Sequence, residues 1–341
     1  MRTYQNVFII LTPFQYTAMK IVFPEKIYNE RSIIFHTKNV LISKEEHKGL
    51  VKKIKSYPFS LNDILKKPFK SVIDYRNFFK EIKTFIISFF QNNSLDKNIN
   101  IVLGTEKDNF TQVFISYIYK QKNIKKKLIA VEEGLGYYVD ENFKDKLISF
   151  AYFLLTPILF NQPISYHKQL GRHKKINDVY LRLPELIKQS KRINYFKFDL
   201  ANKSNSFPKG LKKGKVLIFS FPNADYGLNE ERKLDVIKSI ITKFENRHII
   251  IKPHPREQTN VFKKLNGDIK VLIKGAIGEE INYFDYEFIV NFSSSIIIDI
   301  LSTGYPSERI YTIGLKRINF SLLKKTNYVE ANKLKQTNFE I

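Results

Sequence analysis

Short apolar runs alternate with longer amphipathic segments along this chain. In the first half the runs lie at 7–11, 32–35, 99–103 and 128–131, with a further one at 179–181. They are nearly continuous in Ile, Val, Leu and Phe rather than alternating, which is the pattern of strands buried on both faces of a parallel sheet. Between them lie Lys-rich amphipathic segments, such as 45–56 and 77–90, expected as helices. The polar stretch 199–214, with Pro208, Gly210 and Gly214, reads as a linker. A second series then begins, with strands expected at 215–219, 248–251, 271–273, 288–290 and 309–313. Within 229–246, Leu234, Ile237, Ile240, Ile241 and Phe244 share one helical face. This alternation predicts an α/β protein with parallel sheets. The expected division is 1–205, 206–320, and a polar tail, 321–341, that packs back on the first domain.

Length and composition agree with two folded domains. The 341 residues are 43% hydrophobic, with 29 Phe and 19 Tyr, which argues against disorder. The formal net charge of +24 calls for acidic partners: a nucleotide, a polyanionic glycan or anionic lipid. Nucleic acid is not expected, because no recognition motif appears and the Lys residues are spread along the chain. There are no cysteines, so disulfides, thiolate metal sites and Cys nucleophiles are excluded. None of the six His forms a pair at metal-ligand spacing on a helix, and no metal is expected. The N-terminus does not read as a signal peptide. No stretch is long enough to span a bilayer; the nearest, 147–160 (LISFAYFLLTPILF), is expected as a buried helix, with an interfacial segment as the alternative.

Three strand ends carry candidate chemistry. Glu132-Glu133-Gly134 closes the run at 128–131. Successive side chains of a strand point to opposite faces, so at most one of these carboxylates faces a substrate. A buried carboxylate near a second negative group has a raised pKa and accepts a proton near neutral pH. Gly134 lets the backbone turn sharply there. His254 lies between Pro253 and Pro255, which stiffen the loop after the strand at 248–251. Ser293, Ser294 and Ser295 follow the strand at 288–290 and open a helix, where hydroxyls and free N–H groups suit phosphate or carboxylate. Ligands of α/β sheets bind at such carboxyl ends. Gly104-Thr105 ends another strand of the first half, and Pro222-Asn223 ends the first strand of the second; both are candidate substrate loops.

Taken in order, these motifs resemble those of the bacterial sialyltransferases that build capsules and lipooligosaccharides, polysialyltransferases included. Glu132-Glu133-Gly134 is similar to their acidic motif, His254-Pro255 to their His-Pro motif and Ser293-Ser294-Ser295 to their serine motif. Thr12-Pro13-Phe14-Gln15 resembles the Thr-Pro-Leu-Gln start of lipooligosaccharide sialyltransferases, with Phe14 in place of leucine, and adds Thr12 and Gln15 to the candidate substrate loops. The resemblance implies a glycosyltransferase B architecture, two Rossmann-like domains facing a cleft. It implies a CMP-sialic acid donor, inversion at the anomeric carbon, and neither metal nor cofactor. By analogy Glu132, the first acid, is the base. His254 meets the donor phosphate, and the serines hold phosphate or sugar carboxylate. The Glu-Glu pair departs from the Glu-Asp or Asp-Asp of many members, which leaves open which carboxylate is the base.

Related chemistries share this architecture. CDP-glycerol glycerophosphotransferases pair His-Pro with a Ser-Ser segment, but usually carry a Trp-His-Gly-type motif, and this chain has no Trp. Transferases using CMP-Kdo handle a similar keto-sugar acid. A non-catalytic protein that binds an anionic glycan or membrane is the rival of another class. The expected partners are a nucleotide-sugar donor and a glycan acceptor, with peripheral contact to anionic membrane. The expected location is the cytoplasm, on the inner face of the cell membrane.

Overall fold

A computed structural model describes residues 3–43, 45–55, 68–139, 141, 143–161, 164, 167, 169–187, 192–196, 214–222, 229–254, 257, 259–265, 269–272, 281–292, 296–314, 325–330 and 333. Contacts divide the chain into two compact units, Met1–Phe196 and Lys197–Ile341.

Among the described residues, the first unit is built on seven parallel strands: β1 (Thr3–Ile10), β2 (Ser32–His36), β3 (Leu50–Lys53), β4 (Ser94–Leu103), β5 (Lys125–Val131), β6 (Ile176–Leu181) and β7 (Arg192–Tyr195). Their order in the sheet is β3-β2-β1-β4-β5-β6-β7. Among the described residues the helices of this unit are α1 (Pro13–Val22), α2 (Pro24–Ile27), α3 (Pro68–Asn92), α4 (Asn109–Lys120) and α5 (Phe143–Phe160). In α3, Phe79, Ile82, Ile86 and Phe89 are buried at helical spacing. Phe35 of β2 meets Phe89 of α3 and Phe110 and Phe114 of α4, with ring centroids 5.1, 5.3 and 5.7 Å apart. Tilted and edge contacts of this kind add to the area that the rings bury.

Among the described residues, the second unit has six parallel strands: β8 (Lys215–Phe219), β9 (His248–Lys252), β10 (Ile269–Val271), β11 (Phe288–Asn291), β12 (Ile310–Gly314) and β13 (Asn327–Glu330). They are ordered β10-β9-β8-β11-β12-β13. Among the described residues its helices are α6 (Glu230–Lys243) and α7 (Ile296–Ser302). Alternate residues of β8 enter two cores. Val216 and Ile218 pack with Leu234, Ile237, Ile240 and Phe244, while Leu217 and Phe219 pack with Ile250, Ile289 and Tyr305. Both faces are covered, which is why such strands read as continuous apolar runs. Asn229 caps α6 by accepting a hydrogen bond from the Arg232 N–H, and Glu230 and Glu231 favour the positive end of the helix dipole.

The α/β class with parallel sheets holds in both units. Four expectations are corrected. The segment 45–56, expected as a helix, contains the strand β3, whose polar residues suit an edge with one neighbour. The strand expected at 271–273 starts earlier, at Ile269. The tail contributes Asn327–Glu330 as the edge strand of the second sheet, so this part of it belongs to the second unit. The helix at 147–160, expected to be buried, buries Tyr152, Thr156 and Phe160 and leaves most of its large apolar side chains exposed. Among the described residues, no helix is long and apolar enough to cross a membrane.

Candidate active site

Both sheets reverse their winding direction beside their first strand. Between β1 and β4, and between β8 and β11, the following loops diverge to opposite faces and leave a crevice at the carboxyl ends. Among the described candidates, Thr12, Gln15, Gly104 and Thr105 follow β1 and β4, Glu132, Glu133 and Gly134 follow the neighbouring β5, Pro222 follows β8 and His254 follows β9.

In the first unit, β1 ends at Ile10 and α1 begins after Thr12, whose hydroxyl accepts the Gln15 N–H at 3.2 Å. Gln15 is wholly buried. Its Oε1 accepts from the Leu11 N–H at 2.7 Å, and its Nε2 donates to Glu133 Oε2 at 2.5 Å. Gly104, at the end of β4, has no room for a side chain: a Cβ there would lie 2.3 Å from Gln15 Cδ. Thr105 is buried, and its hydroxyl accepts the Lys107 N–H at 3.2 Å. The Tyr137 hydroxyl donates to the carbonyls of Gly104 and Val131 at 2.7 and 3.1 Å, tying the ends of β4 and β5 together. Gly134 has φ of 140°, a backbone conformation that a Cβ disfavours.

The two carboxylates of the acidic motif have different surroundings. Glu132 is wholly buried. It accepts from the Tyr138 hydroxyl at 2.5 Å, from the Arg182 backbone N–H at 2.7 Å and from Arg182 Nε at 2.8 Å, and a second guanidinium nitrogen completes the pair. The Phe14 ring lies 4.8 Å from the guanidinium carbon. The cationic charge that reaches Glu133 is that of Lys107, which opposes a rise in its pKa. Burial pushes its pKa up to about 7, the Asp108 and Glu106 charges add to the rise, and the Gln15 hydrogen bond opposes it. Burial also raises Tyr137 and Tyr138 well above the usual phenol range, and the nearby carboxylates act in the same direction. The analogy put the base at Glu132; the geometry commits that carboxylate to an ion pair and leaves Glu133 as the one poised near neutral pH.

Sequence reasoning missed Arg182 and Tyr138, and it placed Glu106 only as part of the Gly104-Thr105-Glu106 substrate loop. Arg182 carried a signal, a lone charge within Tyr180-Leu181-Arg182-Leu183. Glu106 is wholly buried, and neither carboxylate oxygen has a hydrogen-bond partner. Burial raises its pKa, opposed by the nearby backbone amides of Glu106 itself, Gly171 and His173 and by the Lys107 charge.

In the second unit the loop after β9 is organised by Glu257, which sequence reasoning also missed. This buried carboxylate accepts the His254 backbone N–H at 2.5 Å and the Ser220 hydroxyl at 2.9 Å, and it pairs with Lys233 of α6. The Glu257 N–H donates back to the His254 carbonyl at 2.9 Å. The ends of β8 and β9 are thereby held to α6, with His254 half-buried between Pro253 and the Glu257 turn. Burial pushes Lys233 down to about 8, and the Glu230 charge opposes this. Pro222 is half-buried just after Phe221, whose ring packs on Phe292 with centroids 4.4 Å apart, so the ends of β8 and β11 touch. Asn291 is buried and donates to Thr312 Oγ1 at 3.0 Å. Pro255, Asn223, Ser293, Ser294 and Ser295 lie outside the described residues. Among the described residues, no group of three or more His, Asp or Glu is placed to hold a metal ion.

The chain is similar to an uncharacterized protein of Haemophilus influenzae, 29% identical over 186 residues, which cover 48% of this chain and 58% of that protein. Among solved structures, it resembles an alpha/beta-galactoside alpha-2,3-sialyltransferase from the luminous marine bacterium Photobacterium phosphoreum. The TM-score is 0.58 at 12% identity, over 98% of this chain and 100% of that one. It also resembles the glycosyltransferase SnogD from Streptomyces nogalater, with a TM-score of 0.52 at 9% identity, over 99% and 91% of the two chains. At these identities the likeness is one of fold, and the fold is that of the two-domain glycosyltransferase B enzymes. The alpha-2,8-polysialyltransferase family model matches residues 6–291, so most of the chain lies within it, and the protein belongs to that family.

Proposed function

We propose that this protein is an inverting, metal-independent sialyltransferase that moves sialic acid from CMP-sialic acid to a bacterial surface glycan of the capsule or lipooligosaccharide. The observation that carries the reading is Glu133: a carboxylate with its pKa raised to about 7, at the end of β5, held by Gln15. A base for acceptor deprotonation works best near the pH at which it acts. Glu133 takes the proton of the acceptor hydroxyl. The acceptor oxygen bonds to the anomeric carbon as the bond from that carbon to the phosphate oxygen breaks, and the electron pair leaves with CMP. His254 donates to the departing phosphate, and Ser293, Ser294 and Ser295 hold it or the sugar carboxylate. Glu132 serves as structure, through Arg182. The same reading puts the protein in the cytoplasm, peripheral on the inner face of the membrane.

The test is CMP release, in the presence of EDTA and a sialylated acceptor, from CMP-sialic acid, CMP-Kdo and CDP-glycerol separately. Release from CMP-sialic acid alone is expected. Release only from either of the other donors, or a strict requirement for a divalent metal, would overturn the reading.

A further inference from the structure

We propose that the outward face of α5 is a docking surface for an anionic lipid bilayer. This surface accounts for the peripheral location proposed above and is independent of sialyl transfer.

The helix Phe143–Phe160 is held to its unit along one side. The Phe160 ring packs against Tyr75 and Phe79 of α3 with centroids 5.9 and 5.6 Å apart, and Tyr152 and Thr156 are buried along the same side. The other side is apolar as well, and it is bare. At about 100° per residue, Phe143, Leu147, Phe150, Leu154 and Ile158 form one stripe along the helix. Their exposures are 76, 53, 60, 48 and 74%, and Phe153 and Leu155 flank them at 55 and 48%. An ordinary surface helix turns such a stripe inward. A contiguous exposed patch of large apolar side chains marks an interaction site.

Charge selects the occupant. Lys144 and Lys146 are exposed on either side of the stripe, and Lys174 Nζ lies 5.9 Å from the centre of the exposed Phe153 ring. The only acid of the helix, Asp145, falls on the side away from the stripe. Aromatic and aliphatic side chains in a row, bordered by lysines whose stems lie along apolar surface, suit a helix lying flat at a headgroup boundary. Anionic headgroups are attracted by those lysines and by the net charge of +24. The helix is too short and too firmly held by Phe160 to be read as a span.

The test is flotation of the full chain with phosphatidylglycerol–phosphatidylcholine vesicles and with phosphatidylcholine vesicles. Binding to the mixed vesicles and not to the neutral ones is expected. The exposed triple substitution Leu147→Ser, Phe150→Ser, Leu154→Ser should lower partitioning by about 10-fold or more, with an unchanged circular dichroism spectrum. Because the chain has no cysteine, Phe150→Cys carries a single polarity-sensitive dye. Its emission should shift to the blue with anionic vesicles, while a dye at Lys238→Cys on α6 should not respond. Equal binding to neutral vesicles, wild-type binding by the triple variant, or a silent dye at position 150 would each overturn the proposal. So would a dimer in solution that the triple variant turns into monomer, since a second copy would then be the occupant.

Discussion

Arg182 and Glu132 form an ion pair in which both side chains are wholly buried, with Arg182 Nε 2.8 Å from Glu132 Oε1. The two residues follow adjacent strands, β6 and β5, so the pair ties the carboxyl ends of the first sheet together. Removing one partner leaves a buried charge uncompensated, which costs about 3–5 kcal/mol. Arg182→Ala and Glu132→Ala are therefore expected to lower the melting temperature by roughly 6–20 °C. Circular dichroism melts check this, and near-wild-type melts would refute a structural role for Glu132.

Glu133→Gln behaves in the opposite way. The amide oxygen still accepts from Gln15 Nε2, but the residue no longer takes a proton. Turnover is expected to fall by about 100-fold or more, while CMP-sialic acid still binds. Donor affinity by calorimetry and transfer rate by product formation separate the two effects. Full activity of this variant would remove Glu133 as the base.

The raised pKa of Glu133 sets two pH dependences. A base works in its charged form, so turnover should rise with pH through about 7, and that limb should vanish in Glu133→Gln. Stability runs the other way. The folded state holds this proton more tightly than the unfolded chain, so the contribution is present below the ordinary carboxylate pKa and is lost as pH rises through about 7. Glu133→Gln escapes that loss. Its melting temperature relative to wild type is expected to increase between pH 5 and 8, and a pH-independent difference would contradict the assignment.

Gly104→Ala tests the link between Gln15 and Glu133. The added methyl group would overlap the buried, hydrogen-bonded Gln15 side chain and force it to move, so a loss of about 1–3 kcal/mol is expected. Losing the Gln15 hydrogen bond removes an influence that lowers the Glu133 pKa. The rising limb of the pH–rate profile should then move to higher pH, as it should in Gln15→Ala. An unmoved limb in both variants would show that Gln15 does not act on the base.

Glu257→Gln is expected to weaken CMP binding by about 10-fold, because it loosens the backbone of His254 without altering the imidazole. A merely structural role would lower the melting temperature and leave the Kd of the folded protein unchanged. Calorimetric titration of CMP below the melting temperature distinguishes these outcomes.

The central strands were legible in the sequence because each is buried on both faces and leaves a continuous apolar run: 7–10, 99–103, 128–131, 215–219, 248–251 and 288–290. The strands that went unread, β3, β7 and β13, are all sheet edges. Leu50-Val51-Lys52-Lys53, Arg192-Ile193-Asn194-Tyr195 and Asn327-Tyr328-Val329-Glu330 have one neighbour each, and edge strands tolerate the polar residues that hide them. The positions of the acidic and His-Pro motifs were legible for a related reason, since a motif directly after an apolar run must sit at a strand end.

What those strand-end residues do was decided only by tertiary structure. Glu132 and Glu133 are neighbours of one residue type, and nothing local separates them. Arg182, fifty positions away, neutralises one; Gln15, 118 positions away, holds the other, whose pKa burial keeps high. Glu257 gives no sign in sequence that it joins Ser220, Lys233 and His254. In α5 the side chains are apolar nearly all round, so periodicity cannot say which side faces in. The Phe160 contacts with α3 make that choice, and they leave Leu147, Phe150, Leu154 and Ile158 to the solvent. Local pattern determines which segments become strands and helices; charge pairing and exposure depend on residues that only the folded chain brings together.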